Sequence, residues 1–324
     1  VNATLAVGST PERRVGIDVG GTKAQGVVLD PQGAIVDAAQ LPTPRGDDSL
    51  DALIEVLFEL AEALGHEGGV GVGVPGLVTR TGVLRAAPNL DGVADFDIGV
   101  RLSERLRTPV VVDNDATCAT AAEWRLGAGA GTDDMLLVTL GTGIGGGVVA
   151  DGSLRRGVNG FAGEFGHMVV DPSGPPCPCG RRGCWERYAS GSGLAMLARD
   201  AAAGNRLHDV VRQAGGDPQA VRGEHVQAAA REGDPEALAV IEQFAWWVAL
   251  GLSNLTNAFD PAMFVLGGGL ASGADLYLEP ITRWFHSLLY QPELRLVPAI
   301  EFARLGPLAG AVGAALLPEL SGGG

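Results

Sequence analysis

Apolar residues in this chain fall into short runs whose spacing alternates between strand-like and helix-like, with glycine-rich punctuation between them. Arg14-Val15-Gly16-Ile17-Asp18-Val19 predicts a strand, and Gly26-Val27-Val28-Leu29-Asp30 predicts a second one across the turn Gly20-Gly21-Thr22-Lys23. Residues 49–64 carry apolar positions at helical spacing, with Ser49 as the expected N-cap. Val70–Val74 and Val110–Val112 predict short buried strands. Beyond residue 190 the pattern turns mainly helical, over 190–203, 235–258 and 276–289. Asp260-Pro261 interrupts it ahead of a buried strand, Met263–Leu266, which ends in Gly267-Gly268-Gly269. Residues 308–317 predict a closing apolar helix, while 1–12 and 321–324 carry no periodic pattern and are expected to fray.

The first hairpin has a second copy. Shifting the chain by about 121 residues lays Val19-Gly20 on Leu140-Gly141 and Gly26–Asp30 on Gly147-Val148-Val149-Ala150-Asp151. Each copy reads strand, glycine turn, strand, Asp, which predicts two similar α/β lobes that each offer a glycine turn.

Composition narrows the function. With 324 residues the chain is long enough for two lobes. A net charge of -15, from 23 basic and 38 acidic residues, argues against nucleic acid as a partner. No signal peptide or membrane span is expected, because neither a basic leader nor a run of about 20 apolar residues occurs. Three of the four cysteines, Cys177, Cys179 and Cys184, cluster, and Cys118 stands apart. That grouping suggests a metal site in a cytoplasmic protein before it suggests disulfides.

Two glycine turns carry candidate phosphate chemistry. In Asp18-Val19-Gly20-Gly21-Thr22-Lys23, glycines let backbone N–H groups approach phosphate oxygens, Thr22 can donate a hydroxyl, and Asp18 can hold Mg²⁺. Lys23 is the only lysine among the 23 basic residues. Gly141-Thr142-Gly143 lies at the repeat-related position, in a loop that lacks the Gly-Lys-Ser/Thr ending of a P-loop. Gly267, Gly268 and Gly269 end a strand in a way that would let adenine and ribose approach closely. His167 with Cys177, Cys179 and Cys184 makes a closed four-ligand zinc set of structural type, with Gly180 and Gly183 allowing the return turn. Such a set leaves no coordination position for a reacting water, so zinc is expected to be structural.

The motifs Asp-x-Gly-Gly-Thr-Lys, Asn-Asp, Gly-Thr-Gly-x-Gly, Gly-Glu-x-Gly-His and Cys-x-Cys-Gly-x-x-Gly-Cys-x-Glu occur in that order. This order resembles the ROK family of repressors and sugar kinases, from about Arg14 to about Leu317, and is most similar to the bacterial glucokinases within it. The resemblance implies an actin-like ATPase fold: an α/β chain with two RNase H-like lobes around a cleft. The small lobe would comprise 13–113, joined by the C-terminal helix at about 307–320, and the large lobe 114–306 with the zinc site. The activity implied is transfer of a phosphoryl group from ATP to the 6-hydroxyl of a hexose, glucose first, with Mg²⁺ as cofactor. Mannose, fructose, N-acetylglucosamine and N-acetylmannosamine are the alternative sugars, and a sugar-responsive repressor is the alternative role. The resemblance makes Asp115 the base and Asn114 a sugar contact, and assigns Glu164, His167 and Glu186 to the sugar. Asn89 is a second candidate amide for sugar hydroxyls, and Thr117 stands where many relatives have Asn. A homodimer or homotetramer is also implied.

Overall fold

In the computed structural model, residues 13–46, 49–66, 68–87 and 95–321 are described, and the chain divides into two units. The first contains the chain up to Ala122, then Arg156–Phe161, and then the chain from Pro307. The second contains Glu123–Arg155 and Ala162–Gly306.

The first unit begins with β1 (Arg14–Val19), β2 (Lys23–Leu29) and β3 (Ile35–Pro42), an antiparallel meander. Helix α1 (Ser49–Ala63) presents Leu53, Leu57 and Leu60 to the core at the spacing the sequence predicts. Ser49 is its first helical residue rather than its cap, and the buried Ser49 hydroxyl has no hydrogen-bond partner among the described residues. Strand β4 (Val70–Val74) follows, then the small sheet β5 (Leu77–Val78), β6 (Val83–Ala86) and β7 (Phe96–Asp97). Asp97 caps α2 (Ile98–Leu106) by accepting from Val100 N at 2.9 Å. Strand β8 (Val110–Asn114) then runs directly into α3 (Asp115–Leu126).

The second unit repeats the plan. Strands β9 (Met135–Leu140), β10 (Ile144–Ala150) and β11 (Ser153–Arg155) form its antiparallel meander. After the cysteine segment come α4 (Glu186–Ala189), α5 (Gly191–Ala203), α6 (His208–Gln213), α7 (Gly223–Arg231) and α8 (Pro235–Phe259). Helix α8 starts on an Asp234 cap with Pro235 at its first turn. Among the described helices only α8 has the length and apolar content of a membrane span. Its Val240, Phe244, Val248 and Leu252 are buried in the core of this unit. Strand β12 (Met263–Gly267), α9 (Ala274–Leu288) and β13 (Ala299–Phe302) complete the unit, and α10 (Ala309–Ser321) returns to the first.

The two main sheets have one order, β3-β2-β1-β4-β8 and β11-β10-β9-β12-β13. In each, two antiparallel pairings are followed by two parallel ones. The copies differ at the turn. Val19 pairs with Ala24, whereas Leu140 pairs with Ile144, so the second turn is tighter and the second strand slips against an ungapped alignment.

Helix α10 lies against β1 and β4 because glycine leaves room for it. A Cβ on Gly16 would overlap the backbone of Ala311 and Ala315, and one on Gly71 would overlap Ala314 O. We therefore expect Gly71→Ala to lower the unfolding free energy by about 3 kcal/mol or more. Gly68→Ala, where nothing lies within 4 Å of the added Cβ, should be near neutral; urea midpoints of both variants check this.

Candidate functional site

In the first unit the candidate residues gather at the ends of β1 and β8. Parallel pairing of β1 with β4 and of β4 with β8 brings Asp18 opposite Gly73 and Gly73 opposite Asp113. A Cβ on Gly73 would lie 3.2 Å from Asp18 Oδ1 and 3.1 Å from Cys118 Sγ, and one on Gly310 of α10 would press on the Asp18 carboxylate. Asp18 thus sits where a side chain at residue 310 would overlap it and one at residue 73 would crowd it. Its Oδ1 is shut off from solvent and has no hydrogen-bond partner among the described residues. Burial, and then the charge of Asp115, push its pKa up to about 7. An orphaned, desolvated carboxylate oxygen of this kind suits a cation or its bound water.

Asp115 is the first residue of α3 and accepts from Ala116 N at 2.9 Å. Burial raises its pKa too, against the opposing pull of that N–H. Asn114 is largely engaged: its Oδ1 accepts from Ala116 N and Thr117 N, and its Nδ2 donates to Gly76 O at 3.0 Å. It therefore caps α3, ties it to the strand end, and also hydrogen-bonds the Asp115 carboxylate. Asp113 is buried and ion-paired with Arg156, and burial raises its pKa while Arg156 opposes this. Thr117 is buried on α3. Cys118 is buried among α10 residues, its thiol pushed far up by burial and then by the neighbouring acids. Asn89 lies outside the described residues.

The first glycine turn is tied back by its own carbonyls. Gly20 N donates to Lys23 O at 2.9 Å, Thr43 Oγ1 to Gly20 O at 2.7 Å, and Arg45 to Gly21 O at 3.0 Å. Gly21, Thr22 and Lys23 are exposed, and Lys23 Nζ reaches Gln40 at 3.4 Å.

In the second unit the structure brings the other two glycine loops together. Gly267 pairs with Thr139, and Gly268, at φ 82, packs on the backbone of Leu140, where a Cβ would lie 2.7 Å away. Gly141 N donates to Gly143 O at 3.0 Å, closing the turn that follows β9.

The cysteine segment is adjacent. His167 ends a 3₁₀ turn, Phe165–His167, and Gly180 and Gly183 take positive φ, as the expected return of Cys184 toward Cys177 and Cys179 requires. The ligand atoms of His167, Cys177, Cys179 and Cys184 lie within 4.8 Å of one another. Cys179 Sγ is 3.5 Å from Cys184 Sγ, and Cys177 Sγ is 3.9 Å from His167 Nδ1. Two sulfurs bound tetrahedrally to zinc stand roughly 3.8 Å apart, so this donor set fits the ion. The Arg181 N–H, the largest influence on Cys179, holds its thiol below the usual range and favours the thiolate. Glu186 Oε1 lies 3.6 Å from His167 Nδ1, its other oxygen would lie 2.8 Å from a Cβ on Gly143, and Glu164 Oε2 is 3.8 Å from His167 Nε2. Both acids therefore flank the cluster, and Glu186 also occupies the space that a side chain on Gly143 would need.

The shifted Asp18 has a measurable sign. Its folded pKa exceeds its unfolded value, so its contribution to stability is complete below about pH 4 and is lost as pH rises through about 7. Without added Mg²⁺, Asp18→Asn should unfold several degrees above the wild type at pH 8 and converge with it toward pH 4. Thermal unfolding scans across pH check the difference.

Comparison with known proteins places the chain in a family. Residues 14–319 match the ROK family. A glucokinase of Streptomyces coelicolor is 38% identical over 305 residues, covering 93% of this chain and 96% of that protein. The crystal structure of a ROK family glucokinase from Streptomyces griseus, in complex with glucose and AMPPNP, gives a TM-score of 0.81 at 38% identity. That match covers 94% of this chain and 98% of the other. ROK hexokinase from Thermus thermophilus gives 0.79 at 37% identity, covering 96% of this chain and 100% of the other. Its paired sheets are those of the actin-like ATPase fold, and the chain belongs to the ROK family.

Proposed function

We propose that this protein is an ATP-dependent glucokinase that transfers the γ-phosphoryl group to the 6-hydroxyl of glucose. The observation that carries this reading is Asp115. It stands at the junction of β8 and α3, with a proton affinity raised by burial, in a chain that matches the ROK family almost end to end. A hexose hydroxyl is a poor nucleophile, and a carboxylate whose pKa lies above the ordinary range accepts its proton more readily as the new P–O bond forms.

The remaining residues divide by chemistry. Asn114, hydrogen-bonded to Asp115, is the amide that contacts the sugar, and Asn89 is the further amide. Glu164 and Glu186 accept hydrogen bonds from sugar hydroxyls, a carboxylate acceptor discriminating strongly between hydroxyl configurations. His167 would hold zinc through the ring nitrogen that faces Cys177, Nδ1, and present Nε2 to a sugar hydroxyl. The turns Gly20-Gly21-Thr22-Lys23 and Gly141-Thr142-Gly143 receive phosphate oxygens, and Gly267, Gly268 and Gly269 leave room for the nucleoside. Asp18 would hold Mg²⁺ directly or through its water, and the ion supplies neutralisation of phosphate charge. His167, Cys177, Cys179 and Cys184 would hold zinc, which would supply rigidity to the sugar-reading acids and no chemistry of its own.

Asp115→Ala is expected to keep glucose binding while kcat falls by about 10²–10⁴-fold, and turnover near wild type would remove Asp115 from the mechanism. A coupled assay over glucose, mannose, fructose, N-acetylglucosamine and N-acetylmannosamine, with ATP and polyphosphate as donors, should give the highest kcat/KM for glucose with ATP. Purified protein should contain zinc stoichiometrically, and chelation should weaken glucose binding. A metal-free protein with intact affinity would contradict the structural zinc.

A further inference from the structure

The residues just after the cysteine cluster make contacts that a sugar pocket does not need. Ser190 joins α4 to α5: its hydroxyl donates to Glu186 O at 2.6 Å and accepts from Gly193 N at 3.1 Å, so it closes one helix and caps the next. The first residues of α5 then reach the second glycine turn. Gly191 N donates to Gly141 O at 2.7 Å, and Ser192 Oγ donates to Thr142 O at 2.8 Å. Glycine suits position 191 because a Cβ there would stand only 3.0 Å from Gly141 O.

A turn rich in glycine has little side-chain packing to define it, and an untied one samples many conformations. Here two successive carbonyls are tied. In a trans peptide the carbonyl of one residue and the N–H of the next share a plane and point in opposite directions. Holding the carbonyls of Gly141 and Thr142 toward α5 therefore turns the N–H groups of Thr142 and Gly143 away from it. Among the described residues neither of those N–H groups is donated to a backbone carbonyl. The anchor of this hold is the cysteine segment itself: Cys184 leads through Trp185, fully buried with its Nε1 on Trp247 O at 2.7 Å, into Glu186 and α4.

We propose that Gly191 and Ser192 are positioning residues for the donor nucleotide, fixing the two peptide planes of the Gly141–Gly143 turn so that the Thr142 and Gly143 N–H groups face phosphate. The proposal rests on the reading of that turn as a phosphate site. It gives the cysteine segment a second consequence, since the helix joint that orients the turn grows directly out of Cys184.

The test uses the full chain with its metal in place and measures Mg·AMPPNP and glucose binding separately by calorimetry, together with the KM of each substrate. Ser192→Ala should weaken AMPPNP binding and raise the KM for ATP by about 3- to 10-fold, the range expected for one hydrogen bond, with glucose affinity unchanged. Ser192→Thr, which keeps the hydroxyl, should restore the nucleotide constants, and Gly191→Ala should lower nucleotide affinity further. AMPPNP affinity within about twofold of wild type in both Ser192→Ala and Gly191→Ala would overturn the proposal. So would an equal loss of glucose affinity, which marks general loosening of the unit. Wild-type protein that binds glucose but no AMPPNP would overturn the phosphate reading as well, and so separates the two failures.

Discussion

Two carboxylates confined near one another in a poorly hydrated place are the constraint around which the first unit is built. Burial raises the cost of ionising both Asp18 and Asp115, and the charge of Asp115 adds to that cost at Asp18. A protein retains such an arrangement when something cationic or proton-donating joins it. The backbone makes the confinement: parallel strands end together, a glycine faces Asp18 from β4, and α10 closes the other side with Gly310. A larger residue at 310 would push the carboxylate out or the helix away, and one at 73 would crowd it.

The second unit solves a different problem with the same sheet. Its turn carries no acid equivalent to Asp18, and the structure surrounds it with hydrogen-bond donors and with the Gly268 backbone. The cysteine segment is tied in from several directions: Trp185 N bonds Met168 O at 2.8 Å, Cys177 N bonds Arg181 O at 2.8 Å, and Gly183 N bonds Pro175 O at 2.9 Å. A metal ion held by the thiolates and imidazole at its centre would lock these irregular strands into one shape, which a segment so poor in regular structure cannot do by apolar burial alone.

Much of this was legible in the residues. The spacing of the cysteines and His167 anticipates a compact four-ligand cluster, and the internal repeat anticipates two sheets of one topology. Ser49 was misleading because a serine before an apolar period reads as a cap, yet whether it caps depends on where the preceding chain enters. Asp115 lies past the predicted strand Val110–Val112, and nothing local marks the helix that starts on it; the cap is Asn114, a role that appears only once β8 and Gly76 are in place. Strand β3 escaped notice because its residues are mostly exposed and alternate weakly. Ser192 was invisible for a related reason, as a hydroxyl on an exposed helix start gains meaning only from a carbonyl about 50 positions earlier.

The route of the chain has a consequence for how the protein is made. Helix α10 belongs to the first unit, yet it follows every strand of the second. On the ribosome, β1 and β4 emerge early with the face around Gly16 and Gly71 uncovered, while the whole cysteine segment and its helices are still to come. The second unit can close on itself as it appears, whereas the first must wait for residues beyond 309 to fill that groove. During synthesis, then, the half of the molecule that holds Asp115 is the last to be finished.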